Sequence, residues 1–279
     1  MRIDENIAFL EKTSRDSPEY QEIMAFFLNI LVAIRGREGE TGISFRVPAG
    51  YGKEKIAGGF PLLAPEDMAV NSDEAASFLD LLADVLVKGG KDGDDHLSAL
   101  KSALSSGGLD LTALYAACLK RDRKVLDEGA AANNLPPPLL EFVLETALRC
   151  AIGLVAEKVP PDAVTGWQES YCPICGARAG MAELTGEEGK RLLSCSACSF
   201  TWGFKRLACP YCGNDDPETL TYFQAGDGPT RVNICRKCSR YIKTRDSRLG
   251  NAGVPLDAED LATIHLDLLA AREGFERGK

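Results

Sequence analysis

Apolar residues recur at helical spacing through most of residues 1–165. Ile23, Phe26, Phe27, Ile30 and Ile34 fall on one side of a helix. Ser17-Pro18-Glu19 ahead of them reads as an N-cap, a proline at the first helical position and an acid in the first turn, and Gly36 supplies the stop. Phe78, Leu79, Leu82, Val85 and Leu86 trace a second helix, opened by Ser72-Asp73-Glu74 and closed by Gly89-Gly90. Leu109 to Lys120 and Pro138 to Lys158 keep the same period. The period is lost from Gly36 to Leu63, a glycine-rich stretch ending in Phe60-Pro61-Leu62-Leu63, which is expected to be a loop and a candidate for meeting a partner. His96 lies in a Gly/Asp-rich stretch and is expected to be exposed and without a role.

Beyond Trp167 the pattern shortens to strands and turns. Met181 to Leu184 and Arg191 to Ser194 flank the turn Thr185–Gly189, and Thr219 to Gln224 and Thr230 to Ile234 flank Gly226-Asp227-Gly228-Pro229. Near the end, Leu261, Ile264 and Leu268 form a stripe on one helix, with Asp257 as cap, Gly274 as stop and His265 packed on the stripe. The expected architecture is a multidomain α plus small β chain. It has an all-α N-terminal domain (1–165), two tandem ribbons (166–206 and 207–250) and a C-terminal helix (251–279).

Composition adds limits. With 45% hydrophobic and 26% charged residues the chain is an ordinary globular one. Its longest apolar run, Ile23 to Ile34, is broken by Asn29 and is too short to span a bilayer. Met1-Arg2-Ile3-Asp4-Glu5 turns acidic at once, so no export signal is expected and the expected compartment is the cytoplasm, with no membrane partner. Two histidines leave little material for His-based catalysis. Gly52-Lys53 is followed by Glu54, which does not fit a phosphate loop, and neither G-x-S-x-G nor H-E-x-x-H occurs.

The ten cysteines change the picture most. Eight form pairs, Cys172/Cys175, Cys195/Cys198, Cys209/Cys212 and Cys235/Cys238, separated by 19, 10 and 22 residues. A C-x-x-C turn places two sulfurs close enough for one ion, and two such turns complete a tetrahedral site. Because each long gap reads as a hairpin, the pairing is sequential, with the first four cysteines in one ribbon and the last four in the next. All-sulfur coordination suits iron or zinc. Structural staples, rubredoxin-like one-electron centres and thiol–disulfide centres are the alternatives, the last fitting the tandem hairpins least. A closed sulfur shell argues against metal-assisted hydrolysis, which needs an open position. Cys118 and Cys150 follow apolar residues at helical spacing and read as small buried hydrophobes.

The net charge of −9 is unevenly spread. Tyr171 to Leu249 holds 12 Lys+Arg against 8 Asp+Glu, leaving 20 against 33 elsewhere. Eight thiolates around two divalent ions would bring that segment to about neutral. Nucleic-acid binding through Arg231 to Arg248 is a rival reading, and the acidic remainder speaks against it.

The strings Tyr171-Cys-Pro-Ile-Cys-Gly176 and Leu193 to Gly213, with Trp202 and Arg206 between the pairs, resemble the formate dehydrogenase accessory protein FdhE family. The resemblance continues through Cys235 to Asp246 and Asp257 to Phe275. It implies a cytoplasmic maturation factor, without turnover of its own, that associates with the formate dehydrogenase catalytic subunit. It also implies that the eight cysteines bind metal, iron in rubredoxin-like fashion. An iron-dependent electron-transfer protein is a further alternative. Trp202, Tyr222, Phe204 and Phe223 are expected to floor the space between the ribbons. Arg206, Arg236, Arg240 and Lys243 are expected to offset the sulfurs, or else to meet an acidic partner surface.

Overall fold

The computed structural model describes residues 2–16, 18–89, 94–250 and 253–278. Its N-terminal half is helical: α1 (Ile3–Asp16), α2 (Gln21–Ile34), α3 (Lys53–Ala57), α4 (Ser72–Gly89), α5 (Asp94–Ser105), α6 (Leu111–Lys120), α7 (Arg123–Ala132) and α8 (Pro137–Lys158). The expected cap Ser17 and stop Gly90 lie outside the described residues, and a 3-10 turn over Pro18–Tyr20 leads into α2. Asp110 and Asp122 cap α6 and α7, their carboxylates accepting from the Ala113 and Val125 amides.

Helix α8 is the centre of this half. Leu140, Val143, Leu144, Ala147 and Ala151 are buried along it, in one core with Phe78, Leu79 and Leu82 of α4, Leu100 of α5 and Tyr115 of α6. Cys150 belongs to that core and Cys118 packs against it, as their spacing predicts. The stretch from Gly36 to Leu63 is more ordered than a loop. It contains α3 and the strand β1 (Ile43–Phe45), which pairs antiparallel with β2 (Met68–Val70). Gly42 is required there: φ is +67°, and a Cβ would lie 2.4 Å from the Ala75 nitrogen. His96 is exposed, but on α5 rather than in a loop.

The C-terminal half is built on one sheet. Strands β3 (Ala179–Thr185), β4 (Lys190–Cys195) and β5 (Thr201–Gly203) form one antiparallel unit, and β6 (Leu220–Phe223), β7 (Thr230–Cys235) and β8 (Arg240–Asp246) form another. Both expected hairpins are present, each with a third strand the spacing does not signal. The two units join edge to edge through a parallel β3–β8 pair, giving the order β5-β4-β3-β8-β7-β6.

The expected C-terminal helix is two helices, α9 (Leu256–Ala262) and α10 (Ile264–Arg272), broken at Thr263, whose hydroxyl bonds back to the Glu259 carbonyl at 2.7 Å. Pro255, not Asp257, occupies the N-cap position, and Asp257 instead accepts from the Ser199 hydroxyl. His265 stacks on Tyr20 with centroids 5.9 Å apart. The chain then turns into β9 (Glu276–Arg277), a parallel partner of β8. Helix α10 packs on the sheet through a small core of Val232, Ile234, Tyr241, Leu266 and Ala270. No helix among the described residues is long and apolar enough to cross a membrane.

Candidate metal centres

All four C-x-x-C turns are built alike. The residue after the second cysteine of each pair has a left-handed backbone: Gly176 (φ +71°), Ser199 (φ +61°), Gly213 (φ +72°) and Ser239 (φ +54°). That reversal sends the chain back so that amides face the first sulfur. The Ile174 amide lies 3.3 Å from Cys172 Sγ, Ala197 and Cys198 lie 3.3 and 3.4 Å from Cys195 Sγ, and Tyr211 lies 3.4 Å from Cys209 Sγ. In the second ribbon the Asn214 side-chain amide adds a contact of 3.6 Å to Cys235 Sγ. Amide donors of this kind favour thiolate over thiol.

The β4 and β7 hairpins bring the second pair of each ribbon back over the first. Cys172, Cys175, Cys195 and Cys198 form one group and Cys209, Cys212, Cys235 and Cys238 the other, with all sulfurs of a group within 4.8 Å. Sulfur–sulfur distances are 3.5 Å for Cys172–Cys198 and Cys175–Cys195, 3.8 Å for Cys175–Cys198, and 3.7 Å for Cys209–Cys238 and Cys212–Cys235. A tetrahedron with metal–sulfur bonds of about 2.3 Å has edges of about 3.8 Å. The groups therefore fit one four-coordinate ion each, in the sequential pairing the hairpins predict.

Their electrostatics fit a cation too. Burial pushes the Cys172 and Cys198 thiols up. Burial also works against a charge on Cys195, yet its thiol neighbours and the Cys198 amide hold it down. Four such sulfurs can all ionise together only around a cation. In the second group burial raises Cys209 and Cys238. Cys235 is held down against its burial by the Cys238 and Lys237 amides.

The two sites differ in enclosure. Cys172, Cys195 and Cys198 are all buried, whereas Cys212 is exposed and Cys238 half-buried. The first site is covered by the segment expected to meet a partner. Leu62 and Leu63 amides donate to the Pro173 and Ile174 carbonyls at 2.8 Å, and the Tyr171 hydroxyl donates to the Gly59 carbonyl at 2.7 Å. The segment's partner is thus the chain's own first knuckle, with Phe60 left exposed.

The expected aromatic floor is divided. Trp202 is buried beside the first site, its indole donating to the Glu169 carbonyl at 3.1 Å, and Phe204 packs on the same core. Phe223 packs under α10, while Tyr222 is exposed. Lys243 does not serve the sulfurs. It is turned to the opposite face of β8 and pairs with Asp260 and Asp267 at 2.8 and 2.6 Å. The period of two settles this: odd positions of β8 face α9 and α10.

The two remaining cysteines are chemically quiet. Burial pushes the thiols of Cys118 and Cys150 up to about 12, so at pH 8 about one in ten thousand is thiolate. Iodoacetamide at pH 8 is expected to leave both unmodified in the folded protein while labelling them in guanidinium, as read by peptide mass spectrometry. Rapid labelling in the native state would contradict this placement.

Relatives were found by sequence and by structure. The chain is 34% identical over 147 residues to the protein FdhE homolog of Aquifex aeolicus, covering 51% of each chain. It is 33% identical over 149 residues to that of Stutzerimonas stutzeri, covering 52% of this chain and 48% of the relative. It thus spans about half the length of the curated relatives it matches. The crystal structure of the FdhE protein from Pseudomonas aeruginosa shares the fold, with a TM-score of 0.68 and 20% identity over 99% of this chain and 92% of that one. No family model matches the chain. The sequence matches are to FdhE homologs over about half of this chain, and the FdhE crystal structure shares its fold.

Proposed function

We propose that this chain is an accessory protein for formate dehydrogenase: it binds the catalytic subunit during maturation, performs no turnover of its own, and acts in the cytoplasm. The observation that carries the reading is the 34% identity over 147 residues to an FdhE homolog. Cys172, Cys175, Cys195 and Cys198 would hold one iron or zinc ion, and Cys209, Cys212, Cys235 and Cys238 another. The ion would supply tetrahedral cross-linking and, if iron, a one-electron couple. The protein's own residues fix the sulfurs in place, direct amides at them and bury three of the four sulfurs of the first site.

Replacing Cys172 or Cys209 by Ser in a strain carrying the chain's own formate dehydrogenase is expected to lower formate oxidation several-fold. Immunoblots should still detect the catalytic subunit. Unchanged activity in both variants would sink the role of the metal sites, and failure of the tagged wild-type chain to retain the subunit would sink the partner.

A second reading, electron delivery through iron, is favoured by one observation: Cys212 is exposed, so an ion at the second site would lie near the surface. Nucleic-acid binding is less well supported, because the basic stretch turns Lys243 and Arg245 inward onto Asp260, Asp267 and Glu259.

A further inference from the structure

The two faces of the sheet around β8 treat their cations differently. On the face covered by α9 and α10, Lys243, Arg245 and Arg277 each pair with a carboxylate. On the other face Arg191, Arg206, Arg231 and Arg240 line a single cavity of about 300 Å³ beside the second cysteine site, and no acidic side chain lines it. Their hydrogen-bond and ring partners are neutral, and the nearby Asp246 carboxylate, which attracts Arg231, is already held by Arg248 in a two-pronged ion pair. Arg191 donates to the Ala208 carbonyl at 2.6 Å and lies 5.9 Å from the Phe204 ring. Arg206 donates to the Glu188 carbonyl at 2.7 Å, and Arg231 lies 4.2 Å over the Tyr222 ring.

Arg191 is the most telling of these. Only 7% exposed, it is a buried cation with no carboxylate in ion-pair contact among the described residues, the Cys209 sulfur being the negative group that acts on it. Burial lowers its pKa to about 10, which marks an environment that resists the charge. Thr244, also on the cavity wall, is 2% exposed and its hydroxyl makes no hydrogen bond. A buried guanidinium that donates only to the Lys205 and Ala208 carbonyls, and a buried hydroxyl with no hydrogen bond, carry a cost that a bound oxyanion would reduce.

The cysteine site accounts for only part of the positive charge. Four thiolates around a divalent ion carry a net double negative charge, whereas the four arginines carry four positive charges. The positive charge that remains suits a small anion such as a phosphate monoester. We infer that this cavity binds a small phosphate-bearing anion, with its oxygens held by Arg191, Arg231 and Arg240 and its base resting at Thr244. Guanidinium groups meet phosphate oxygens two at a time, which suits a cluster of arginines better than a single carboxylate would. A small molecule is favoured over an acidic protein surface because Arg191 and Thr244 are almost wholly buried, and a flat partner would not reach them. The inference does not rest on the formate dehydrogenase reading, and its test involves no client.

Calorimetric titration of the full chain at low salt, with pyrophosphate and separately with AMP, is the test. Saturable binding of one equivalent of at least one probe is expected. Arg231→Gln and Arg240→Gln should each weaken it about tenfold or more, the loss of one charge-assisted contact. Arg272→Gln, at an exposed arginine outside both the cavity and the cysteine sites, should leave it unchanged. Melting curves of the variants separate lost binding from lost folding, and Arg240→Gln serves if Arg231→Gln melts early. Absence of saturable binding by both probes would overturn the proposal. So would equal weakening by Arg272→Gln, which is the mark of general attraction. Tighter binding of a poly-glutamate peptide than of either probe, with the same dependence on Arg231 and Arg240, would reassign the cavity to an acidic protein segment.

Discussion

Metal removal from the zinc-loaded protein is expected to proceed in two phases, with the ion held by Cys209, Cys212, Cys235 and Cys238 leaving first. Cys212 is exposed and Cys238 half-buried, so a chelator can reach that coordination shell directly. The first site is more enclosed: Cys172, Cys195 and Cys198 are at most 2% exposed, only Cys175 is half-buried, and the 59–63 segment is bonded across the first knuckle. Its ion should leave only when that cover opens. A structural four-sulfur zinc contributes on the order of 10–16 kcal/mol of apparent binding free energy, comparable with or larger than the whole stability of about 5–15 kcal/mol for an ordinary domain. Loss of the first ion should therefore unfold the β3–β4–β5 unit and free the Leu62 and Leu63 amides. Loss of the second should leave those amides protected. The measurement is chelator-driven release monitored with a chromogenic zinc indicator, with amide exchange followed in parallel. The same asymmetry predicts that Cys198→Ala lowers the melting temperature more than Cys212→Ala. Release in one phase, or equal destabilisation by the two substitutions, would show that enclosure does not separate the sites.

Local chemistry was legible in the sequence, and long-range pairing was not. The cysteine spacings, with glycine-rich turns between them, predict both hairpins and the grouping of the sulfurs, because each depends on residues close in the chain. The helices with several large apolar residues, α2, α4, α6 and α8, could be read from their period. Helices α1 and α7 escaped because their buried stripes are narrow: Ile3, Ile7 and Leu10 in α1, and Leu126 and Ala130 in α7. Helix α5 buries Leu97, Leu100, Ala103 and Leu104 but starts within a Gly/Asp-rich stretch that reads as a turn. Nothing local announces the β3–β8 pair, which joins Met181 to Lys243 across the whole second ribbon. Once that pair forms, β8 becomes an interior strand with two covered faces, and the basic run Arg240 to Arg248 is sorted by parity. Arg240 is sent toward the cavity, and Lys243 and Arg245 toward acids on the C-terminal helices. Read only as a run of charge, the same residues look like a solvated or nucleic-acid-binding face. The alternation that corrects this needs knowledge of what packs on each side.

Lys243→Met is expected to destabilise the protein by about 3–5 kcal/mol, the usual cost of breaking a buried ion pair from one side. The Lys243 side chain has no exposure. Its ammonium donates to Asp267 Oδ2 and the Asp260 carbonyl, both at 2.6 Å, and lies 2.8 Å from Asp260 Oδ1. Arg277 of β9 reaches the same two carboxylates, and the Tyr241 hydroxyl donates to Asp267 at 2.7 Å. Lys243 is thus the buried post to which α9, α10 and β9 are all tied, while the apolar contact of α10 with the sheet involves only a handful of side chains. Methionine keeps most of the volume but leaves Asp267 with fewer cations than charge requires, in a site shielded from water. The loss should be concentrated where the network acts: amide exchange should rise across α9 and α10 and stay low in α4 and α8, whose core does not touch Lys243. Adding Asp267→Leu removes the stranded carboxylate, so the double variant should recover part of the loss, the Tyr241 hydroxyl then being the group left without an acceptor. Denaturant unfolding of the three proteins measures the coupling directly. A single-variant cost below about 1 kcal/mol, the range of an exposed pair, would mean that apolar contact alone holds the C-terminal helices to the sheet.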